Sequence, residues 1–142
     1  MEWERHGFVV SDDPARLDRD WVAAWLAERA YWATGRPRDV VDRSIDASLN
    51  LGLYAPDGRQ LGFCRWVTDR ATFGWLCDVF VDDAERGRGL GTWMVGLAVA
   101  HPDVAGIKRQ LLATNDAHGL YAKVGFHPLE HPDRWMDRAP TR

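Results

Sequence analysis

The stretch "RGRGLG", Arg86–Gly91, places three glycines and two arginines in six residues. It lies between an apolar run, "WLCDVFV" (75–81), and a helix-like run, "TWMVGLAVAH" (92–101). Ordering this much glycine is costly, because glycine loses more backbone freedom on folding than any other residue. A strand, a glycine-rich turn and a helix provide a reason for that cost. The helix N-terminus carries unpaired N–H groups and a partial positive charge, and glycines let a phosphate approach them closely. Arg86 and Arg88 add charge to such a cradle. The alternative reading is a tight strand-to-helix turn that binds nothing.

Two well-known phosphate loops do not match. The ATPase loop requires Gly-Lys followed by Ser or Thr, and here Thr92 follows Gly91 with no lysine. The dinucleotide fingerprint requires G-x-G-x-x-G in an early βαβ unit. The glycines at 87, 89 and 91 have the wrong third spacing and come late in the chain.

Outward from the loop, the pattern reads β-α-α-β-β-β-α-β-α-β. "FVV" (8–10) begins it as a strand. "SDDPARLDRDWVAAWLAERAYW" (11–32) reads as one helix, capped by Asp13, with Pro14 in its first turn and Leu17, Trp21, Ala24 and Trp25 in helical register. Pro37 opens a second helix. "LGLYAPDGRQLGFCRWVTD" (51–69) is a hairpin turning at Pro-Asp-Gly. The apolar run that follows reads as a central strand. The glycine helix, a strand "RQLLAT" (109–114) and a short helix closed by Gly125 come next. "FHPL" (126–129) and "RWMD" (134–137) read as last strand fragments. The expected fold is a mixed α/β architecture, with a mostly antiparallel sheet flanked by helices on both faces, in a single domain over residues 1–142.

Composition narrows the function. The net charge of −3 gives no electrostatic reason for nonspecific nucleic-acid binding. No apolar run approaches the roughly 20 residues of a membrane span, and "MEWERHGFVV" lacks a signal-peptide apolar core. Cys64 and Cys77 sit in strand-like runs with no metal-ligand spacing, so they read as buried hydrophobes in a chain of the reducing cytoplasm, with a disulfide as the less supported alternative, and no metal is expected. Eight tryptophans supply a core, an aromatic pocket, or both.

"VDDAERGRGLG" (81–91) resembles the signature of the GNAT superfamily of N-acetyltransferases, Arg or Gln, two residues, Gly, one residue, Gly or Ala, on Arg86, Gly89 and Gly91. "DAHGLYAKVGF" (116–126) resembles that family's second motif on Ala117, Leu120, Tyr121, Gly125 and Phe126. The resemblance implies acetyl-coenzyme A as cofactor. Its pyrophosphate would lie on Arg86, Gly87, Arg88, Gly89, Leu90, Gly91 and Thr92. Its pantetheine arm would enter a splayed cleft and pair with main chain at Val79, Phe80 and Val81. An N–H there would polarise the acetyl carbonyl, and Tyr121 would be the acid that protonates the leaving thiolate.

The resemblance is less complete elsewhere. The family's strand base falls on Trp75 or Cys77, neither of them a base. Asp78 is adjacent, but strand alternation points it to the opposite face unless the strand bulges. A catalytic role for Asp78 and a structural one both remain open. The family's cofactor-binding Asn falls on Thr114, and Asn115 is one residue later; either residue could serve, and the contact is assigned to Asn115. His118 lies one turn before Tyr121 and is a candidate near the cofactor. Tyr31, Trp32, Trp66, Phe73 and Trp75 are the expected aromatic wall of an acceptor pocket. The implied activity is acetyl transfer to an amine of a small molecule, by a chain that is a possible homodimer. The alternatives are a protein or peptide amine as acceptor, or a noncatalytic acyl-CoA-binding module.

Overall fold

A computed structural model describes residues 1–140. Six strands form one sheet in chain order: β1 (Glu2–Arg5), β2 (Phe8–Ser11), β3 (Leu49–Tyr54), β4 (Gln60–Thr68), β5 (Gly74–Val81) and β6 (Gln110–Leu111). Every neighbouring pair is antiparallel except β5–β6, which is parallel. Among the described residues four α-helices accompany the sheet: α1 (Arg19–Arg29), α2 (Arg38–Asp46), α3 (Leu90–Ala100) and α4 (His118–Ala122). This is the expected mixed, mostly antiparallel sheet with flanking helices. Among the described residues no helix is long and apolar enough to cross a membrane.

Each face of the sheet buries its own cluster. On one side Leu90, Met94, Val95 and Ala98 of α3 pack against Leu51, Leu53, Trp66 and Leu76. On the other, Val22, Trp25 and Leu26 of α1 and Val41 and Ile45 of α2 pack on Phe63 and Phe80. The Trp25 and Phe80 rings stack with centroids 4.0 Å apart.

The elements differ from the sequence reading in four places. A strand, β1, precedes the expected first one. It turns through His6 and Gly7, both at positive φ (52° and 85°), as a two-residue hairpin of the type I′ kind requires. Its sequence, EWER, carries the charges of an edge strand, which masks the alternation. The long first helix is two pieces. Asp13 caps a 3-10 turn at Pro14–Arg16, Leu17 is extended, and Asp18 caps α1 by accepting from the Trp21 N–H at 3.0 Å. The strand after the glycine helix has only two residues, and α4 only five. The two expected C-terminal strands do not form among the described residues, where 126–140 is irregular apart from a 3-10 turn at Pro132–Arg134.

The most consequential local feature is in β5. Phe63 pairs with Phe80 and Arg65 with Cys77, so the register shifts by one residue between them, and Asp78 sits at φ 51°. This is a β-bulge. It reverses the alternation: Leu76 faces α3, yet Phe80, four residues later, faces α1.

Candidate functional site

The sheet opens beside β5. The parallel pairing with β6 covers only Gly74↔Gln110 and Trp75↔Leu111, whereas β5 runs on to Val81. Past Trp75 its main chain has no pairing with β6. A cleft of about 570 Å³ occupies this opening, with Trp75, Cys77, Asp78 and Val79 on one wall and Thr114, Asn115, Ala117 and Tyr121 on the other. The α1–α2 connection closes it with Tyr31, Trp32 and Arg36, and the Tyr31 hydroxyl accepts from the Asn115 N–H at 3.0 Å. That bond links one rim to the other.

The bulge overturns the expectation that alternation turns Asp78 away. Trp75, Cys77 and Asp78 all line the cleft, because the bulge brings Asp78 onto the face of Trp75 and Cys77, while Val79 packs on the α3 side. The carboxylate is buried and fully engaged. Arg65 Nε donates to Oδ2 at 2.7 Å, Arg36 Nη1 to Oδ2 at 2.8 Å, and Trp32 Nε1 to Oδ1 at 2.8 Å. Burial pushes the Asp78 carboxyl upward, but the charges and hydrogen bonds of Arg65 and Arg36 outweigh it and hold it below its ordinary value. A carboxylate so held is a poor proton acceptor.

Tyr121 is buried in the opposite wall, on α4, with its ring edge-on to Phe126 at 6.1 Å. Burial, with nearby Cys64 and Tyr31 adding to it, raises its phenol well above the ordinary tyrosine value, so it carries its proton at neutral pH. Burial likewise pushes the Cys77 thiol up to about 11, which leaves almost no thiolate there.

The glycine loop lies at the far end of β5. Gly87 and Gly89 have φ 86° and 73°, a conformation that favours glycine, and no side chain caps the α3 N-terminus at Gly89. A Cβ on Gly87 would meet nothing within 4 Å, and one on Gly89 only Arg5 Nη2 at 3.9 Å. The space above the loop is therefore open. Arg86 and Arg88 are exposed and pair locally with Asp83 (3.0 Å) and Glu85 (3.2 Å). Arg5, from the strand that the sequence did not reveal, lies over the Trp93 ring at 4.9 Å and donates to the Gly89 carbonyl at 3.5 Å. Open N–H groups, three nearby guanidiniums and an unpaired strand edge fit a diphosphate attached to an extended, amide-bearing arm.

Of the expected aromatic wall, Tyr31, Trp32 and Trp75 line the cleft. Trp66 does not. It is fully buried, with its Nε1 donating to the Ala98 carbonyl at 3.0 Å, and belongs to the core beneath α3. Phe73 is exposed beside the Asp69–Thr72 turn and is also absent from the lining. The Phe80 side chain packs under α1, leaving only its main chain to a ligand. Thr114 Oγ1 accepts from the Ala117 N–H at 3.1 Å and so braces the turn into α4, while Asn115 stands at the cleft rim. His118 faces a second hollow, of about 710 Å³, between 107–114 and 124–130. Arg36 and Arg65 went unnoticed in the sequence. The signals were an arginine inside the apolar run "GFCRWV" (62–67) and another in "TGRP" (34–37), next to two aromatics.

Residues 50–128 match the family model described as an acetyltransferase (GNAT) domain. A candidate acetyltransferase of Gibberella zeae is 30% identical over 144 residues, spanning 87% of this chain and 80% of that protein. The crystal structure of a candidate GNAT-family acetyltransferase from Xanthomonas campestris pv. campestris superimposes with a TM-score of 0.91 at 42% identity, covering 97% of this chain and 96% of that one. At 13% identity, a candidate acetyltransferase from Clostridium acetobutylicum solved with acetyl-CoA shares the fold, with a TM-score of 0.64 over 93% of this chain and 94% of that one.

Proposed function

Because the chain belongs to the GNAT acetyltransferase family, we propose that it moves the acetyl group of acetyl-coenzyme A directly onto the amine of a small molecule. The observation that carries this reading is Tyr121, buried in the cleft wall that faces β5 where the sheet opens, where burial raises its phenol and keeps the proton on it. The α3 N-terminus, with Gly87, Gly89 and the arginines around them, holds the pyrophosphate, and main chain at Val79–Val81 aligns the pantetheine arm. The bound thioester supplies an activated acetyl carbonyl. A β5 N–H stabilises charge developing on the carbonyl oxygen, as oxyanion donors do. The amine nitrogen bonds to the acetyl carbon as the carbon–sulfur bond breaks. The Tyr121 phenol gives its proton to the departing sulfur and recovers one from the nitrogen through water.

Asp78 is placed here as a positioning residue, not as the base. Its pairing with two guanidiniums suits it to fixing Trp32 and Arg36 over the cleft, and the amine enters already neutral or loses its proton to water. Cys77 is protonated, which favours direct attack over an acyl-cysteine. A cleft of about 570 Å³ has the capacity of small-molecule sites, which favours a small acceptor over a protein one. Two free thiols suit a reducing cytoplasm.

The test is thiol release from acetyl-CoA across a panel of primary amines, with products identified by mass. Release with an acetylated small amine is expected. Tight binding of acetyl-CoA with no transfer to any amine would establish a noncatalytic acyl-CoA-binding module instead, and transfer confined to peptides would move the acceptor class.

A further inference from the structure

The charges inside the cleft do not balance. Among the described residues Asp78 is the one acid of its inner wall, with a side chain 2% exposed, and two guanidiniums stand on it: Arg65, 12% exposed, and Arg36, 21% exposed. One guanidinium offsets one carboxylate, so the inner wall keeps a net positive charge in a place partly shielded from water. An unbalanced charge there is costly unless something meets it. The other acid of the lining, Asp116, is exposed at the outer rim, where water screens it.

The two arginines are not equivalent. Arg65 is tied at two points, through Nε to Asp78 and through Nη1 to Ser48 Oγ at 3.1 Å. Arg36 makes one side-chain bond among the described residues, through Nη1 to Asp78. Its Nη2 and Nε keep their protons free while Asp78 fixes its direction. It follows Gly35, whose φ of 71° turns the α1–α2 connection back toward the cleft, and it stands in the lining with Trp32 and Trp75. A guanidinium with one edge anchored and another open is arranged to receive a carboxylate or phosphate oxygen.

We propose that the acceptor carries an anionic group, a carboxylate or a phosphate, besides its amine, and that Arg36 receives it. This rests on the acetyl-transfer reading for the identity of the ligand as an acceptor, but not for its test, which requires no turnover. The aromatic faces of Trp32 and Trp75 hold the body of the molecule, and the amine points toward Tyr121. The same arrangement selects against plain amines, which would leave the guanidinium unmet.

The experiment is calorimetric titration of the coenzyme A complex of the full chain, in which no transfer can occur, with matched pairs of amines. Benzylamine against para-aminomethylbenzoate tests the carboxylate, and ethanolamine against phosphoethanolamine tests the phosphate. In at least one pair the anionic member is expected to bind about tenfold tighter or more, equivalent to about 1.4 kcal/mol. Arg36→Gln should bring that pair within about twofold of each other, and Arg36→Lys should restore part of the difference. The pair that responds names the anion. The proposal is overturned if neutral members bind as tightly as anionic ones, if the preference survives Arg36→Gln, or if no anionic amine binds in the millimolar range. A wild type without the preference overturns the proposal whether or not Arg36→Gln folds. Failure of acetyl transfer would appear separately, in the thiol-release assay, with this binding preference intact.

Discussion

Replacing Asp78 tests the account of the bulge and the charge cluster together. Asp78→Ala removes one buried carboxylate and leaves two guanidiniums and the Trp32 indole N–H without their acceptor. Breaking a buried ion pair from one side costs about 3–5 kcal/mol. The backbone adds to this, because at φ 51° alanine lacks the left-handed tolerance of Asp and Asn and loses roughly 1 kcal/mol more. The sum, about 4–6 kcal/mol, is a large share of the roughly 5–15 kcal/mol stability of an ordinary domain. Asp78→Asn keeps the backbone tolerance and one acceptor but loses the charge, at about 2–3 kcal/mol. Urea unfolding at neutral pH should place the variants in the order wild type, Asn, Ala, with similar denaturant slopes. The pH dependence follows in sign. The folded carboxyl lies below its ordinary value, so its stabilisation is full above about pH 5 and declines as pH falls below about 3.9 toward the folded value. The stability gap between wild type and Asp78→Asn should therefore narrow on acidification. A cost below about 1 kcal/mol for Asp78→Ala, or a gap that widens in acid, would refute the reasoning.

Two further outcomes follow from the same geometry. Gly89→Val puts a β-branched residue at φ 73°, which strains the loop by roughly 1–2 kcal/mol and displaces the first N–H groups of α3; calorimetry should show coenzyme A binding weakened about tenfold or more, and unchanged affinity in a folded variant would count against the cradle. Incubation with acetyl-CoA alone should leave the intact mass of the protein unchanged, because the Cys77 thiol, pushed up to about 11, stays protonated; a stoichiometric acetyl adduct on Cys77 would replace direct transfer with a two-step route.

What the sequence reveals here depends on how local each cause is. The glycine loop is legible because its backbone demand is met by the residues that make it, with positive φ at Gly87 and Gly89. The Pro-Asp-Gly hairpin and the Gly125 turn are legible for the same reason. Asp78 is not, because the bulge is a property of two strands: one extra residue in β5 opposite Cys64 follows from the register with β4. Trp66 and Trp75 read alike as strand tryptophans, and only the placement of α3 sends one into the core and the other to the cleft. The split of the first helix turns on a choice between two caps, Asp13 and Asp18, five residues apart, each of which takes up an N–H. The charged β1 pairs through its backbone, so its side chains give little sign of it, and Arg5 reaches the loop only through that pairing. Arg36 lies in a connection that reads as a chain break, and it reaches the cleft lining through its bond to Asp78, 42 positions away.

The most direct test of acetyl transfer at this cleft is Tyr121→Phe, which removes one oxygen from a ring that stays packed against Phe126. Turnover with acetyl-CoA and the best acceptor should fall by about 10²–10⁴-fold, while the dissociation constant for coenzyme A, measured on the same preparation, stays within about threefold. Turnover that persists at the wild-type rate would contradict the assignment of Tyr121 as the proton donor and, with it, the mechanism built on this cleft.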